Sequence, residues 1–224
     1  MTNFLEVFTR LREAGFIPGA IIDGGAHIGA YATQVAALWP SARVLLVDPL
    51  SSTRDTLAQL AARQEWDFAP VGLGMQAAGA VHFNEHGPQS SLLPNFAGQT
   101  WGETATVELE SLNHLVRAYA LPAPYLLKLD IQGAELDALR GATWILGETP
   151  VIHLEVSFVR FQDGLPLAHE VIAWLGGRGY LLYDFFEFSR RPDGSLLQAD
   201  IVFVSAASGL VEHQWVPGEE RPWS

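Results

Sequence analysis

The sequence predicts a doubly wound α/β fold, in which helices cover a mostly parallel sheet of seven strands that closes in an antiparallel hairpin. Three observations predict this fold. Apolar runs of strand length alternate with stretches of helical periodicity, which is typical of βαβ units. A glycine-rich bend separates the first strand from the helix that follows it. Near the end, two long strand-like runs flank Arg191-Pro192-Asp193-Gly194, a turn signal that predicts the hairpin.

Each element follows from its pattern. Phe4, Val7, Phe8 and Leu11 recur at helical spacing and predict an N-terminal helix. Further helices are predicted at 29–38, 51–63, 111–119, 134–146 and 167–175, and the strands of the sheet at 20–24, 43–48, 67–72, 125–130, 151–157, 180–188 and 196–204. Residues 72–104 are rich in Gly, Ser, Asn and Pro, so we expect an irregular excursion with one short strand at 80–83, followed by a strand near 105–109. The chain is expected to form one domain over 1–205 and a tail over 206–224.

Composition restricts the function classes. The formal charge of −12, from 25 acidic against 13 basic residues, repels nucleic acid and favours a neutral or cationic small molecule, or a carrier-bound sugar or lipid. No apolar run is long enough to cross a bilayer, so no membrane span is expected. The chain has no cysteine, which excludes thiolate metal sites and cysteine nucleophiles and fits a cytoplasmic location.

The bend after the first strand predicts a nucleoside site. Asp23, Gly25 and Gly29 form the pattern D-x-G-x-x-x-G, and Asp48 ends the second strand, where a carboxylate can accept both hydroxyls of a ribose. Ala26 breaks the G-x-G-x-x-G pattern of dinucleotide binding, and Asp23 would repel a pyrophosphate but not a cationic sulfonium. We therefore expect S-adenosylmethionine, held by the residues of the bend and of the second strand end: Asp23, Gly24, Gly25, Ala26, His27, Gly29, Asp48 and Pro49.

A second segment combines charge with a buried strand. Lys128 and Asp130 point to one face of the strand at 125–130, and His153 and Glu155 do the same on the next core strand. If the two strands are neighbours, all four side chains meet at the carboxyl ends of the strands, where open α/β sheets bind ligands. The alternative is structural: a buried Lys–Glu ion pair and an aspartate that caps the next helix.

Several stretches together resemble the FkbM-type methyltransferase family. They are the bend at 22–29, the block Leu127-Lys128-Leu129-Asp130-Ile131-Gln132-Gly133-Ala134-Glu135 with its continuation at 139–142, and the segments 153–158 and 198–203. The resemblance covers about 11–204 and implies the Rossmann-like fold of class I methyltransferases and O-methylation of sugars, polyketides or other secondary metabolites from S-adenosylmethionine. It also implies that Ser91 borders the cofactor. The chain departs from the family in His27, where Asn is usual, and in Asp48-Pro49, where Glu-Pro is usual.

Methyl transfer to a hydroxyl needs alignment and a base that removes the proton. Asp130 and Glu155 are the acidic candidates, and Asp130 is also expected to contact the cofactor. Lys128 is a candidate to offset the charge of an alkoxide, and His153 ranks below Asp130. No metal site is predicted; if Mg²⁺ were required, Asp130 and Glu155 would be its ligands. The acceptor is expected between the 72–104 excursion and the loop at 158–168. An NAD-dependent oxidoreductase and a non-catalytic methyltransferase-like binding module remain the alternatives.

Overall fold

A computed structural model of the chain describes residues 4–94 and 103–211. Its helices and strands, in chain order, are α1 (Phe4–Glu13), β1 (Ala20–Gly24), α2 (Ala30–Ala36), β2 (Arg43–Val47), α3 (Arg54–Gln64), β3 (Asp67–Ala69), β4 (Gly72–Leu73), β5 (Ala78–Glu85), β6 (Glu103–Glu110), α4 (Leu112–Ala118), β7 (Tyr125–Leu129), α5 (Glu135–Arg140), β8 (Val151–Ser157), α6 (Ala168–Gly176), β9 (Tyr180–Arg190) and β10 (Leu196–Ser205).

Seven strands form the central sheet in the order β3-β2-β1-β7-β8-β10-β9. β3, β2, β1, β7 and β8 run parallel, whereas β10 is antiparallel to both β8 and β9. This confirms the predicted fold class, including the closing hairpin. Since β1 lies between β2 and β7, the ends of these three strands meet at the middle of one sheet edge.

Both faces of the central sheet are covered, which explains why its inner strands are almost wholly apolar. Ile22, Leu45 and Leu127 belong to the core on one face, whereas the residues one position earlier, among them Ile21 and Leu126, belong to the core on the other. Asp23 and Lys128 are buried on inner strands of this sheet. Charged groups in such a position need partners, and they identify the site described below.

The prediction of an irregular excursion over 72–104 is corrected by the structure. β5 pairs with β6 in antiparallel orientation and β4 pairs with β6 in parallel, so a second sheet has the order β4-β6-β5. The short strand expected at 80–83 is the middle of the eight-residue β5. The full length of β5 could not be predicted, because much of the strand is exposed and it contains few β-branched residues. Residues 95–102 lie outside the described part of the chain.

Two further element boundaries differ from the prediction. The strand expected at 67–72 is divided by Pro70, which has no N–H to donate, and its second part, β4, joins the small sheet. The helix expected at 134–146 ends at Arg140. A Cβ on the next residue, Gly141, would lie 2.3 Å from the carbonyl oxygen of Gly74, so the chain packs there against the small sheet.

The end of the described chain is short and irregular. A 3₁₀ turn at Ala206–Ser208 follows β10, and residues 212–224 of the predicted tail lie outside the described part of the chain. Among the described helices, none is long and apolar enough to cross a membrane.

Candidate active site

The glycine bend after β1 packs directly on the loop that follows β7. Gly25 has a φ of +75°, and a Cβ built on it would lie 1.8 Å from the carbonyl oxygen of Asp130. The backbone N–H of Asp130 donates to the carbonyl of Gly24 at 3.1 Å. His27 also has a positive φ of 50°, a conformation in which Asn and His are enriched among residues other than glycine. The bend therefore accepts His27 where the resembling family usually has Asn.

Asp48 is held in place by backbone donors. The N–H of His27 donates to its Oδ2 at 2.7 Å and the N–H of Leu50 to its Oδ1 at 2.8 Å. Burial raises the pKa of Asp48, while these two hydrogen bonds oppose the rise. Each oxygen keeps a further acceptor position, so the carboxylate is oriented and can still receive ligand hydroxyls.

A first cleft of about 690 Å³ lies between the central sheet and the small sheet. On the side of the central sheet, it is lined by polar and turn residues at the strand ends, namely Gly25, His27, Asp48, Pro49, Asp130 and Gln132. The opposite side is largely apolar and is formed by the small sheet and its loop, namely Gly72, Leu73, Phe83, Pro88 and Leu92. An apolar wall that faces a few oriented polar groups is typical of sites for small molecules and cofactors.

Not every predicted cofactor residue lines this cleft. Asp23 is fully buried, and Lys128 Nζ lies 3.1 Å from its Oδ1. Ser91 is buried and donates to the carbonyl of Gln132 at 2.7 Å, so it supports the loop after β7. Three further predicted residues shape the bend without lining the first cleft: Gly24, Ala26 and Gly29.

Lys128 is bound in the centre of the site. Its ammonium donates to the carbonyl of Gly25 at 2.9 Å and lies 3.7 Å from Asp130 Oδ2. Burial alone would lower the pKa of Lys128, but the carboxylates of Asp23 and Asp130 outweigh burial and raise it. The predicted structural alternative, a Lys–Glu pair, has the wrong partner, because Lys128 pairs with two aspartates.

The four polar side chains predicted to meet at the strand ends line one cleft, and side-chain amides contact two of them, Asp130 and Glu155. Lys128 is in register with His153 in the paired strands β7 and β8. The side-chain amide of Gln132 donates to Asp130 Oδ1 at 3.0 Å and to Glu155 Oε2 at 2.7 Å. Gln198 on β10 also donates to Glu155 Oε2, at 2.6 Å.

Burial and neighbouring carboxylates change the protonation of the site. The pKa of Glu155 is raised to about 9, because the group is buried and close to Asp130 and Asp200. The pKa of Glu135 is raised to about 7 by burial, against hydrogen bonds from the backbone N–H groups of Ile131 and Gly133. The raised pKa favours the neutral carboxyl form of Glu155, so Asp130 is the stronger candidate for an ionised base.

A second cleft of about 670 Å³ opens on the other side of Asp130. It is lined by residues from α1, α2 and the strands β7 to β10, namely Phe4, Tyr31, Gln34, Lys128, Asp130, His153, Glu155, Phe186, Glu187 and Asp200. Asp130 lines both clefts, and its side chain is 38% exposed. A ligand in one cleft can thus contact the same carboxylate as a ligand in the other.

Several residues of this site were not predicted from the sequence. Gln132, Gln198, Asp200 and Glu187 all contact or face the predicted carboxylates. Alternation along β10 was an available signal, because Asp200 is opposite Glu155 in the antiparallel register and shares its face. Glu187 gave no such signal, since it lies at an irregularity of the strand pairing.

Two further predictions concern the region that binds the acceptor and the possible metal ligands. The acceptor region expected between 72–104 and 158–168 corresponds to a separate, smaller cleft, lined by Gln89, Gln132, Phe161, Gln162, Leu197 and Gln198. Within residues 4–94 and 103–211, no group of three or more His, Asp or Glu side chains is placed to hold a metal ion. Asp130 and Glu155, the ligands considered for Mg²⁺, instead share the amide of Gln132.

Comparisons with known proteins agree with this architecture. Residues 23–182 match the family model described as the methyltransferase FkbM domain. The structure is similar to the crystal structure of methyltransferase FkbM from Methylobacillus flagellatus KT, with a TM-score of 0.53 and 17% identity over 82% of this chain. The chain spans 43% of the length of that protein.

A second solved structure has a similar fold. It is the O-methyltransferase TomG from Streptomyces achromogenes, involved in tomaymycin synthesis and determined in complex with SAM. The TM-score is 0.51 and the identity 12%, over 90% of this chain and 78% of the other. At such identity the similarity shows the fold alone. Among curated proteins, none matches the sequence at a significant level.

Proposed function

The chain belongs to the FkbM methyltransferase family, and from this premise we propose that it transfers a methyl group from S-adenosylmethionine to a hydroxyl of a small or carrier-bound acceptor. Sugars, polyketides and other secondary metabolites are the acceptor classes that the family resemblance suggests. The observation that carries the proposal is that Asp130 lines both clefts. One cleft suits a nucleoside and the other is free for an acceptor, so the two ligands would meet at one carboxylate.

The residues of the first cleft suit S-adenosylmethionine. Asp48 presents an oriented carboxylate to ribose hydroxyls, and Leu73, Phe83 and Leu92 provide an apolar surface for a base. Asp130 adds negative charge where a sulfonium would be favoured and a pyrophosphate repelled. The same charge disfavours NAD. When bound, the cofactor supplies an electrophilic methyl group on a positively charged sulfur.

The protein must orient the acceptor and accept its proton. Asp130 is the carboxylate for this task, because it is partly exposed and fixed by the amide of Gln132. Lys128 is committed to Asp23 and the carbonyl of Gly25, so its part is to hold Asp130 and the bend in place. Polar groups that line the second cleft distinguish this proposal from a binding module without catalysis.

Calorimetry with S-adenosylhomocysteine tests the cofactor site. Asp48→Ala should weaken binding by about 1–3 kcal/mol, the cost of leaving ligand donors unpaired. Glu108→Ala, an exposed change in β6, is the matched control and should bind like wild type. Thermal shifts with S-adenosylmethionine and with NAD⁺ separate the two cofactor classes, and stabilisation by NAD⁺ alone would refute the proposal.

Asp130→Asn tests the chemistry. The change keeps the shape and the contact with Gln132 but removes the proton acceptor, so turnover should fall about 10²–10⁴-fold. Affinity for S-adenosylhomocysteine should change little. Mass spectrometry that detects the gain of one CH₂ on a hydroxylated acceptor is the assay. Full turnover in the variant would show that another group takes the proton.

A further inference from the structure

The second cleft is unusually rich in hydrogen-bond acceptors. Four of its lining residues carry carboxyl groups, namely Asp130, Glu155, Glu187 and Asp200, and we name it the acidic cleft. Lys128 is the one Lys or Arg among the described residues that line it. Because the Lys128 ammonium already contacts Asp23, Asp130 and a backbone carbonyl, its charge is compensated within the protein. The remaining carboxyl groups face the cleft without a cation.

A buried histidine provides an independent sign of a ligand. His153 is 3% exposed, and its Nε2 lies 2.7 Å from Asp200 Oδ1. A carboxylate at that distance requires the proton on Nε2, so in the neutral ring Nδ1 is an acceptor. Nδ1 is buried and has no hydrogen-bond partner among the described residues, although His153 lines the acidic cleft. The ring nitrogen is thus a buried acceptor without a donor among the described residues, in a side chain at the wall of the cleft.

Aromatic rings form the apolar side of the acidic cleft. Phe4 stacks on Tyr31 with ring centroids 5.9 Å apart, and Phe186 packs against His153 at 5.0 Å. All four residues line the cleft. Ring faces next to carboxylates are the surroundings that favour an organic ammonium ion, which they attract through cation–π and charge interactions together.

The backbone of the hairpin places one of the carboxyl groups. The pairing of β9 with β10 shifts register between Gln198 and Asp200, so β9 bulges at this point. Glu187 lies in the bulge with a φ of 51°, which is uncommon for a residue with a long side chain. Bulges re-aim side chains, and here Glu187 lines the cleft beside Asp200.

We propose that the acidic cleft binds an ammonium group of the acceptor, so that the substrate class is a hydroxylated amine such as an amino sugar. The inference rests on the proposed function, since it assigns the acceptor of that reaction. An ammonium brings several donors and a positive charge to a cleft that is lined by four carboxyl groups. A neutral polyol would satisfy fewer of the carboxyl groups and would leave their mutual repulsion in place.

The electrostatics of the acidic cleft support the assignment. Burial and the charge of Asp200 raise the pKa of Glu187, and the pKa of Glu155 is raised by burial together with Asp130 and Asp200. Part of each rise is repulsion between carboxylates that face one space. A cation in that space relieves the repulsion.

Binding of matched probes tests the proposal. D-glucosamine, N-acetyl-D-glucosamine and D-glucose are titrated by NMR into the full chain near neutral pH, with and without S-adenosylhomocysteine. Glucosamine should bind at least about tenfold more tightly than the two neutral probes, which corresponds to the loss of one desolvated charge contact. Equal affinity for the three probes would overturn the proposal.

Variants test whether glucosamine is preferred over the neutral probes because it binds in the acidic cleft. Asp200→Asn, which retains an oxygen for His153, should reduce glucosamine affinity about tenfold and leave glucose unaffected. Glu187→Gln should act in the same direction and replaces the first variant if that one does not fold. Glu108→Gln removes an equal charge outside the cleft and should have no effect.

Two outcomes separate this inference from the proposed function. If Asp200→Asn weakens S-adenosylhomocysteine as strongly as glucosamine, the cleft holds the ammonium of the cofactor and the inference is overturned. If wild type binds no S-adenosylhomocysteine, the proposed function fails. The titration without cofactor then still decides whether the cleft prefers a cation.

Discussion

Lys128 is a catalytic candidate whose observed contacts hold the bend and the neighbouring carboxylates in place. Its side chain is 6% exposed and its nearest carboxylate, Asp23, is completely buried. The sequence predicted Lys128 and Asp130 on one face, and their side chains do lie 3.7 Å apart, although β7 ends one residue before Asp130. It did not identify Asp23 as the partner, because that pairing depends on β1 and β7 being neighbours, which only the strand order decides.

Lys128→Met should destabilise the protein by about 3–5 kcal/mol, because it leaves the carboxylate of Asp23 buried without a counter-charge. Urea unfolding monitored by circular dichroism measures the loss. The double variant Asp23→Leu/Lys128→Met removes both charges and should recover most of the stability. A single variant as stable as wild type would contradict the contribution of this ion pair to stability.

Glu155 should make the stability fall as the pH rises. Its folded pKa of about 9 lies above the ordinary value of 4.5, so its contribution is complete below the ordinary pKa and is lost as the pH rises through the folded one. Glu155→Gln stays neutral throughout. Near pH 9 the variant should therefore melt about 2–6 °C higher than wild type, whereas in acid the gap should narrow. A pH-independent gap in melting temperature would contradict the assignment.

At the scale of elements, the glycine bend is a contact between strands as much as a ligand site. Gly25→Ala places a Cβ against the backbone of Asp130 and strains a positive φ, so it should lower stability by about 1–3 kcal/mol even without ligand. Gly79→Ala is the control, since a Cβ there meets nothing within 4 Å. Differential scanning calorimetry of both variants makes the comparison. Equal melting temperatures of the two variants would mean that the loop after β7 moves away from the added Cβ without a loss of stability.

Elements buried on both faces could be predicted closely from the sequence. β1 was placed at its observed bounds and β2 to within one residue, since continuous apolar runs end sharply at polar or glycine residues. The strands of the small sheet could not be predicted as closely. Much of β5 is exposed to solvent, so apolar and polar residues do not alternate clearly along it. The break after Arg140 depends on contact between Gly141 and Gly74, which are distant in sequence.

At the scale of the whole molecule, the alternation of apolar runs with helical stretches predicted a parallel sheet covered by helices, and the turn signal predicted the closing hairpin. Together they predicted the edge of the sheet at which the strand ends meet. The amides of Gln132 and Gln198 escaped the prediction because glutamine is usually a surface residue without a role. Their contacts appear only when β8 is paired with β7 on one side and with β10 on the other, which brings both amides onto Glu155.

The two-sheet construction also makes stability uneven across the molecule. The core of the small sheet consists of three buried residues, Leu50, Phe83 and Val107, whereas the central sheet is buried on both faces. Amide protons of β5 and β6 should therefore exchange with deuterium faster than those of β1 and β7, because opening this sheet exposes little apolar surface.

A ligand in the first cleft would touch both sheets and so act as part of the small sheet's core. At a hundredfold excess over its dissociation constant, S-adenosylhomocysteine should slow exchange in β5 by up to about a hundredfold, equivalent to about 2.7 kcal/mol. Mass spectrometry of peptides from β5 reads this directly. Unchanged exchange in β5 with saturating ligand would mean that the ligand does not bridge the sheets. If exchange in β5 slows as expected, the bound ligand joins two separately paired sheets, and their cooperative unfolding depends on whether the first cleft is occupied.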